Sequence, residues 1–515
     1  MSSTTAGTQS YYVPDSLMYY AKRLNFSKNR VRLQTLSSQT VAPNGQIIVR
    51  LPSNTLLNFP SLAMSGSFRA QCQNSGATDG CAPPTNLDFS MFESVSVISN
   101  GGVINQPFLG YDVLGNILND AMGGQDSVKK RSALQHSIPQ PLIKSDTTNG
   151  DELSGYIPFV VSQFISPTQS MEPSYISSNL LGDVEVRIVM KGREIVQTGT
   201  LAQGEDNAGT AGMSGTWDIK NLNFYIETAQ VESAILDQAI SDQLASGMPM
   251  VVPFCNVFSF SQTNADSTFN QRFSVSSNCI NKIIGTTQIN TLLNPPANDV
   301  KFVDGIPSTQ VRSSNGVRFS QFSVNNIYSP NYQIDSELTD GSNWVGSATN
   351  GALAIENLQA SNSLLETRAA LDIDDYNYET VDALCTLTQP PFELLGGGVY
   401  NDGATKVVQP PSEGLIATQA DGTVGDKSEN SRWVPYEYKT PINVFLEDKY
   451  VVATSFDLNT DSKDRCSTGL NTLGSNAQMF WQSTGTGGTQ NTSRVYVMCT
   501  SQIEIYAGAS LSIIQ

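Results

Sequence analysis

The single histidine, His136, is the first residue to test for catalysis, because a serine-hydrolase triad or a histidine metal centre needs an imidazole. It lies in the segment SALQHSIPQP, with Ser132 and Ser137 nearby and no neighbouring carboxylate. A general base needs a partner that orients its ring. The surroundings of His136 therefore favour an ordinary loop or surface histidine, and we predict that the chain is not an enzyme and has no catalytic residue.

Two acidic segments carry oxygen ligands at close spacing. The pattern D-x-N-x-D-x-x-D that begins at Asp457 is similar to the start of a calcium-binding loop, but Ser462 replaces the required Gly and Thr468 replaces the final Glu. An Asp/Asn-rich turn is the favoured interpretation. The segment LDIDDY (371–376) offers carboxylates for a cation or a glycosidase, although its composition favours an exposed acidic loop. We predict no metal site.

A glycine run at residues 396–398 is the only candidate for a phosphate cradle. A phosphate-binding loop ends in Lys followed by Ser or Thr, whereas Val399 and Tyr400 follow here. The run therefore predicts a flexible turn, and we predict that the protein has no cofactor.

The composition is that of a globular chain with 515 residues, 39% hydrophobic and 15% charged, which is long enough for two or more domains. No run reaches the roughly 18 apolar residues of a membrane span, and the N-terminus lacks the pattern of a secretory signal. We therefore expect synthesis in the cytosol.

The seven cysteines are odd in number and form no CxxC pair, which favours free buried thiols, with a Cys72–Cys81 disulfide as the alternative.

The net charge of −18 predicts that the body of the protein does not bind nucleic acid. One basic cluster near the N-terminus is the exception, and it contains no acidic residue between its members Lys22, Arg23, Lys28, Arg30 and Arg32. These side chains are our candidates for a contact on an inner face with genome, an anionic membrane or an acidic neighbouring subunit. The alternative is a set of solvated charges beside a strand.

The segment 91–119 shows the clearest local structure. Val95 and Val97 alternate with polar residues, as in a half-buried strand, and Asn100-Gly101 is a strong hairpin signal. Val103 and Ile104 then open a return strand. Apolar residues at helical spacing follow and predict a short amphipathic helix, namely Tyr111, Leu114, Ile117 and Leu118.

The pattern of short strands and turns covers two long blocks. About eight strands in the first block favour a β-sandwich or jelly roll over an α/β fold. Residues 231–244 then change to a helical period, and Gly247 is placed to end that helix. A second β block follows, with long polar insertions that are usually functional or exposed. We predict an arm at 1–28, a first β domain at 29–229, a linker helix at 230–248, and a second β domain at 249–515 with insertions at 289–316 and 336–440.

Several segments occur in the order and spacing of one known family. The first half contains LLNFPSLAMSGSFRA, MFESVSVISNGGVI with the helix at Tyr111, YIPFVVSQFIS, DVEVRIVM and NLNFYIETAQV; the second contains CINKIIGTTQ, FSVNNIYSPNYQ and FDLNTDSKDRCSTGLNTLGSNAQMFW. This order resembles the double jelly-roll major capsid proteins of the adenovirus and tectivirus-like lineage, including those of virophages and polinton-like viruses. The resemblance covers most of residues 30–515 apart from the insertions.

The resemblance implies an all-β fold of two tandem eight-stranded jelly rolls joined by a linker helix, with long insertions in the second roll. It further implies a capsid protein of the virion, made in the host cell cytoplasm, that forms pseudo-hexagonal homotrimers in an icosahedral shell. The insertions would form outward towers. The expected partners are neighbouring trimers, penton and minor capsid or cement proteins, and an internal membrane or the genome through the N-terminal arm.

Two other functions remain open at this point. A tandem β-sandwich that binds or cleaves carbohydrate would need aromatic platforms and a carboxylate pair, but the four tryptophans are widely spread, at Trp217, Trp344, Trp433 and Trp481. A minor capsid or spike protein usually has one jelly roll and a distinct attachment region, which the tandem arrangement disfavours.

Overall fold

A computed structural model of the chain describes twenty stretches of the sequence. They are residues 26–37, 39–73, 79–84, 87–105, 107–123, 143–144, 156–171, 175–200, 214–231, 234–293, 302–303, 306–336, 361–373, 406–408, 416–418, 445–457, 469–473, 478–485, 488–507 and 510–514. Among these residues, no helix is both long and apolar enough to cross a bilayer.

The first half of the chain is built from antiparallel strands with short helices between them. The strands are β1 (Phe26–Leu33), β2 (Gln46–Arg50), β3 (Leu56–Gln73), β4 (Asp79–Ala82), β5 (Phe92–Ser99), β6 (Gly102–Val103), β7 (Ile143–Lys144), β8 (Ile157–Val161), β9 (Tyr175–Ser177), β10 (Val184–Met190), β11 (Gln197–Thr200) and β12 (Ser214–Val231). The helices are α1 (Leu87–Ser90), α2 (Tyr111–Gly123), α3 (Pro167–Ser170) and α4 (Ser178–Leu181).

Helix α5 (Ala234–Ala245) leads into a second set of strands. They are β13 (Met250–Asn264), β14 (Phe269–Phe273), β15 (Ile280–Ile289), β16 (Phe302–Val303), β17 (Ile306–Pro307), β18 (Val317–Val324), β19 (Ile327–Asp335), β20 (Lys406–Val408), β21 (Ile416–Thr418), β22 (Val452–Ser455), β23 (Met479–Gly485), β24 (Asn491–Tyr506) and β25 (Ser510–Ile514). Helices α6 (Asn290–Leu293) and α7 (Ser361–Leu371) lie between them.

The two halves have the same topology. In the first, one sheet runs β1-β12-β3-β8 and the other β2-β10-β5-β6; in the second, the sheets run β13-β24-β15-β22 and β14-β23-β18-β19. If the eight principal strands of each half are counted in chain order, both halves have sheets in the order 1-8-3-6 and 2-7-4-5. This is the jelly-roll arrangement, so the prediction of two tandem eight-stranded jelly rolls is confirmed.

The hairpin and helix predicted around Asn100 form as the sequence indicates. Asn100 and Gly101 both have positive φ, 49° and 79°, which the tight turn between β5 and β6 requires. Ile98 pairs with Val103 across this turn. Helix α2 then buries Tyr111, Leu114 and Ile117, all fully inaccessible to solvent, while Leu118 is half-buried.

A buried tryptophan lies between the sheets of each jelly roll. Trp217 stacks on Phe68 at 5.7 Å, and its indole N–H donates to the carbonyl oxygen of Gly192. Trp481 packs edge-on against Phe269 and stacks on Phe322 in the second roll. Each aromatic cluster joins strands from different parts of its own half, so each roll has a separate hydrophobic core.

Helix α5 lies inside the span predicted for the linker. Its last turn is closed by Gly247, which has a φ of +80° and donates its backbone N–H to the carbonyl of Leu244. A residue without a β-carbon adopts this left-handed conformation without strain, as the sequence indicated.

Some details differ from the sequence-based expectations. Strand β1 begins at Phe26, inside the predicted arm, because the backbone of 26–33 pairs with β12. Strand β4, which the sequence patterns did not predict, pairs with β7 and β11 in a small third sheet. The predicted insertion 289–316 ends in a buried stretch, Gln310–Ser314, and is therefore not exposed throughout.

Residues 378–445 form a separate compact unit. Within it, the structure describes the short antiparallel pair of β20 and β21, in which Val407 lies opposite Ala417.

Candidate functional site

The residues considered for enzyme chemistry do not form a site in the described part of the chain. His136, the glycine run 396–398 and all of the acidic pattern after Asp457 lie outside the described residues, as do Asp374 and Asp375. Within the described ranges, no group of three or more His, Cys, Asp or Glu side chains is arranged to hold a metal ion. Cys255, Cys279 and Cys499 are free thiols; the side chains of Cys72 and Cys81 are not described, so their pairing stays a prediction.

Three members of the predicted basic cluster lie on β1 and face partners on β12. The Lys28 ammonium lies 2.8 Å from the Glu227 carboxylate, and the Arg32 guanidinium donates to the side-chain oxygen of Asn223 at 2.7 Å. The Arg30 guanidinium lies over the ring of Tyr225. Lys22 and Arg23 lie outside the described residues, so a shared inner-face contact of all five stays a prediction.

Hydrogen bonds from Lys28, Tyr175 and Asn58 lower the pKa of the Glu227 carboxyl to about 2. The basic residues of β1 are therefore partly neutralised by the sheet itself. They also lie on an edge strand, where charged side chains prevent unwanted pairing with other strands.

The most distinctive arrangement of polar side chains lies where the first jelly roll meets the second, a region that we call the seam. Asp120, at the end of α2, has one carboxylate oxygen 2.5 Å from the Arg312 guanidinium and the other 3.4 Å from the Lys449 ammonium. The exposed fractions are 3% for Asp120, 1% for Arg312 and 3% for Lys449. Buried charges of this kind are tolerated only when they are paired, so this cluster ties the two rolls to each other.

A second polar contact of the seam lies next to the ion cluster. The side-chain oxygen of Gln310 accepts hydrogen bonds from the hydroxyl of Ser90 at 3.0 Å and from the side-chain amide of Asn116 at 2.9 Å. All three residues are buried. Ser90 and Asn116 belong to the first roll and Gln310 to the second, so this contact also fixes the position of one roll on the other.

Helix α2 supplies the Asn116 and Asp120 side chains of the seam from one face. Asp112, Asn116 and Asp120 recur at intervals of four residues, which places them in one row along a helix. Asn116 and Asp120 contact the second roll as described, while Asp112 lies 3.3 Å from the Lys191 ammonium of the first roll. Lys191 also pairs with Glu93 at 2.8 Å. Burial alone would lower the pKa of Lys191, but Asp112 and Glu93 outweigh that effect and hold the pKa above its ordinary value.

Aromatic side chains complete the seam at the start of α2. The Tyr496 hydroxyl of β24 donates to the carbonyl oxygen of Gly110 at 2.9 Å, and the Tyr496 ring packs edge-on against Phe108. Gly110 has a φ of +76°, and a β-carbon there would lie 2.5 Å from the Tyr496 hydroxyl oxygen. The close approach of the two rolls at this point therefore depends on glycine.

A group of exposed apolar side chains lies on the second roll. Ile327 and Tyr332 of the edge strand β19 are 73% and 45% exposed, and Leu365 of α7 is 61% exposed. The hydroxyl of Tyr332 donates to the Glu366 carboxylate, which joins the strand to the helix. Although the Tyr332 side chain is largely exposed, partial desolvation of its hydroxyl and the Glu366 carboxylate raise the pKa of Tyr332 to about 12, so it stays a neutral donor at ordinary pH. Exposed apolar side chains on an edge strand and on the helix joined to it are available for contact with another protein chain.

None of these residues except the basic cluster was identified from the sequence. The partners are distant in the chain: 192 positions separate Asp120 from Arg312, and 329 separate it from Lys449. The available signal was the row of Asp112, Asn116 and Asp120 on a helix that otherwise buries apolar residues. The arrangement holds no reacting group over a cleft; what it can do is fix the orientation of two β domains.

Comparison with known proteins shows which solved structures have a similar fold. No protein-family model matches the sequence, and no curated protein matches it. Solved structures do match. VP54 of the virus PBCV-1, fitted into a reconstruction of the virophage Sputnik, has a TM-score of 0.51 at 8% identity, over 96% of this chain and 97% of VP54. A model of the PBCV-1 capsid has a TM-score of 0.50 at 9% identity, over 96% and 97%.

The major capsid protein of Faustovirus also matches over 98% of this chain and 93% of its own length, with a TM-score of 0.48 at 8% identity. At such low identity, the likeness to the PBCV-1 proteins is evidence about the fold. The topology and the near-complete coverage agree, and the chain has the double jelly-roll fold that it shares with the PBCV-1 capsid structures.

Proposed function

We propose that this protein is a major capsid protein that self-assembles as pseudo-hexagonal homotrimers into an icosahedral viral shell. The observation that carries the proposal is the tandem pair of jelly rolls with identical strand order, joined by the buried seam. Three chains with two such rolls each would place six similar β-sandwiches around one axis. A six-cornered building block of this kind can tile a closed shell.

The seam supports this role because a tile needs a fixed angle between its two rolls. Apolar packing alone tolerates small shifts, whereas a shift between the rolls would separate the buried Asp120 carboxylate from Arg312 and Lys449. We propose that the buried charges of the seam specify the angle between the rolls, a role that buried polar groups have in other proteins.

The exposed apolar side chains of β19 and α7 also support an oligomer. Obligate oligomers bury large and mostly apolar interfaces, on the order of 2,000 Å² or more of total surface. Ile327, Tyr332 and Leu365 offer the type of surface that such contacts use.

The carbohydrate-binding alternative is not supported. Such a protein presents aromatic side chains as platforms, but Trp217 and Trp481 are 1% and 0% exposed and belong to the two cores. Trp344 and Trp433 lie outside the described residues. The matching PBCV-1 structure is that of a virus capsid.

The finer details of the proposal concern partners and location. The protein would be made in the cytoplasm of the host cell and reside in the virion capsid. Its trimers would contact neighbouring trimers, penton proteins and minor capsid or cement proteins. Residues 1–25, together with the basic side chains of β1, would lie on the inner face and contact an internal membrane or the genome.

Imaging of the purified chain tests the proposal. We expect negative-stain class averages of the protein, expressed alone, to show particles with a pseudo-hexagonal outline and three-fold symmetry. Single two-lobed particles at micromolar concentration, together with saturable binding on a glycan array, would contradict the capsid function and favour the carbohydrate-binding one.

A further inference from the structure

The seam joins two different kinds of surface. Helix α2 and the segment before it come from the first roll, and they cover the outer face of the sheet that contains β13, β24 and β15. On that face, the Tyr496 hydroxyl donates to the carbonyl oxygen of Gly110. The Ser259 hydroxyl of β13 accepts from the backbone N–H of Leu109. The helix side of one roll therefore covers the sheet side of the other, which is a head-to-tail contact rather than a symmetric one.

Helix α7 is the counterpart of α2 in the second roll. It lies between the fifth and sixth principal strands of its roll, β19 and β22, as α2 lies between β6 and β8. Residues 111–121 of α2 are buried apart from the half-buried Leu118, because the helix lies between the two rolls. On α7, by contrast, Leu365, Ala369 and Asp372 are exposed at intervals of four and three residues and form one stripe. We call this stripe the helix surface.

The first roll has a counterpart of the covered sheet. Tyr496 lies between buried core residues of β24, and Tyr225 lies between buried core residues of β12, so both rings belong to the outer face of their own roll. An arginine that donates to a side-chain amide lies beside each tyrosine, namely Arg494 to Gln288 at 2.6 Å and Arg32 to Asn223 at 2.7 Å. The first roll buries Tyr496 completely, whereas Tyr225 is half-buried and Arg32 is exposed. The same type of face is thus covered in one roll and open in the other.

This open face, which we call the sheet surface, carries excess positive charge. The carboxylates of Asp218 and Glu227 are each paired with a cation of the same sheet. The Arg32 guanidinium and the Lys220 ammonium contact neutral groups instead, an amide oxygen and a tyrosine ring. Because the chain as a whole has a net charge of −18, a positive face of this kind fits an acidic surface of another copy.

We propose that the helix surface of one chain docks on the sheet surface of a second copy of this chain. Leu365 lies against the Tyr225 ring and the apolar stem of Arg32, and the exposed Asp372 carboxylate faces the cations. Tyr332, which is 45% exposed and bonded to Glu366 of α7, lies at the border of the contact.

This docking repeats, between chains, the contact that the seam makes within a chain. Every copy offers one helix surface and one sheet surface, so three copies close a ring of six rolls. The docking rests on the proposed homotrimer and adds the two surfaces that form it. Of the described basic side chains of β1, Arg32 lies farthest from the arm, and it is the one that meets the second copy.

Two double variants block the two surfaces separately. Leu365→Lys with Ala369→Lys adds positive charge to the helix surface, which the positive sheet surface repels. Arg32→Glu with Lys220→Glu adds negative charge to the sheet surface, which Asp372 repels. Val103→Lys with Leu109→Lys is the matched control, because these residues are also apolar and exposed, at 48% and 63%, but lie outside both surfaces. Circular dichroism checks the fold of each protein.

Size-exclusion chromatography with light scattering gives the masses. We expect trimers for the unmodified protein and the control, and a 55.5 kDa monomer for each blocked variant. An equimolar mixture of the two blocked variants should regain a species of at least twice 55.5 kDa, or about 111 kDa. One variant still has an intact helix surface and the other an intact sheet surface, and only a head-to-tail contact predicts this recovery.

A trimeric mass for either blocked variant would overturn the docking and leave the trimer itself in place, as would a mixture that stays monomeric. A monomeric unmodified protein would overturn the docking together with the capsid function. If a blocked variant does not fold, a carbodiimide that joins lysines to carboxylates decides on the unmodified trimer. We expect cross-links between the peptide that contains Asp372 and the peptide that contains Lys220 in the cross-linked oligomer and not in the monomer; their absence would overturn the proposal.

Discussion

Replacement of Asp120 by alanine removes the carboxylate that faces both Arg312 and Lys449. The two cations are 1% and 3% exposed, so neither can turn to solvent without opening the seam. Breaking a buried ion pair by removing one partner usually destabilises a protein by about 3 to 5 kcal/mol, because the remaining charge stays buried. We expect Asp120→Ala to reduce the free energy of unfolding by that amount.

Urea unfolding followed by circular dichroism, at one protein and salt concentration, measures this effect. Asp183→Ala is the matched control, since Asp183 is exposed beside β10 and surface charges contribute about 0 to 1 kcal/mol. A double-mutant cycle with Arg312→Met should show a coupling of about 0.5 to 3 kcal/mol, because Arg312 and Asp120 contact each other directly in the seam. An Asp120→Ala effect no larger than that of Asp183→Ala would refute the reasoning.

Three further predictions concern the turn before α2, the β1 edge and the arm. Gly110→Ala should reduce the free energy of unfolding by about 1 to 3 kcal/mol more than Gly101→Ala does. Both glycines have positive φ, but only at Gly110 would a β-carbon press against Tyr496. Equal urea midpoints of the two variants would contradict this contact. The lowered pKa of Glu227 contributes stability that is present above about pH 4.5 and is lost as the pH falls toward 2. Over this pH range, the thermal midpoint of Glu227→Gln should therefore fall less than that of the unmodified protein. Parallel curves for the two proteins would contradict this contribution of Glu227. Deletion of residues 1–25, which ends just before β1, should leave trimers intact by light scattering but reduce the yield of closed shells by electron microscopy, and a normal yield would exclude an assembly role for the arm.

Much of the fold could be predicted because its signals are local. The Asn100-Gly101 turn needs two residues that tolerate positive φ, and the alternation of Val95 and Val97 shows directly which face of β5 is buried. The end of α5 could be predicted equally well, because Gly247 closes the helix through its own backbone conformation. Signals of this kind depend only on residues a few positions apart.

The seam could not be predicted, because its contacts join residues that no local pattern relates. Gln310 and Arg312 lie in a polar stretch that resembles an exposed insertion, and they are buried only because the first roll covers them. The short strand β4 was missed for a similar reason: its partners, β7 and β11, are distant in sequence. The burial of Gln310 and Arg312 and the formation of β4 were both determined by tertiary contacts rather than by local composition.

The solution mass of the purified chain, measured by size-exclusion chromatography with light scattering, tests the proposed capsid function most directly. The chain has a mass of 55.5 kDa, so a homotrimer has a mass of three times 55.5 kDa, or about 166 kDa. We predict a single stable species of that mass across a tenfold dilution. A monodisperse species of 55.5 kDa at every concentration would contradict the assembly of this chain into trimeric capsid units.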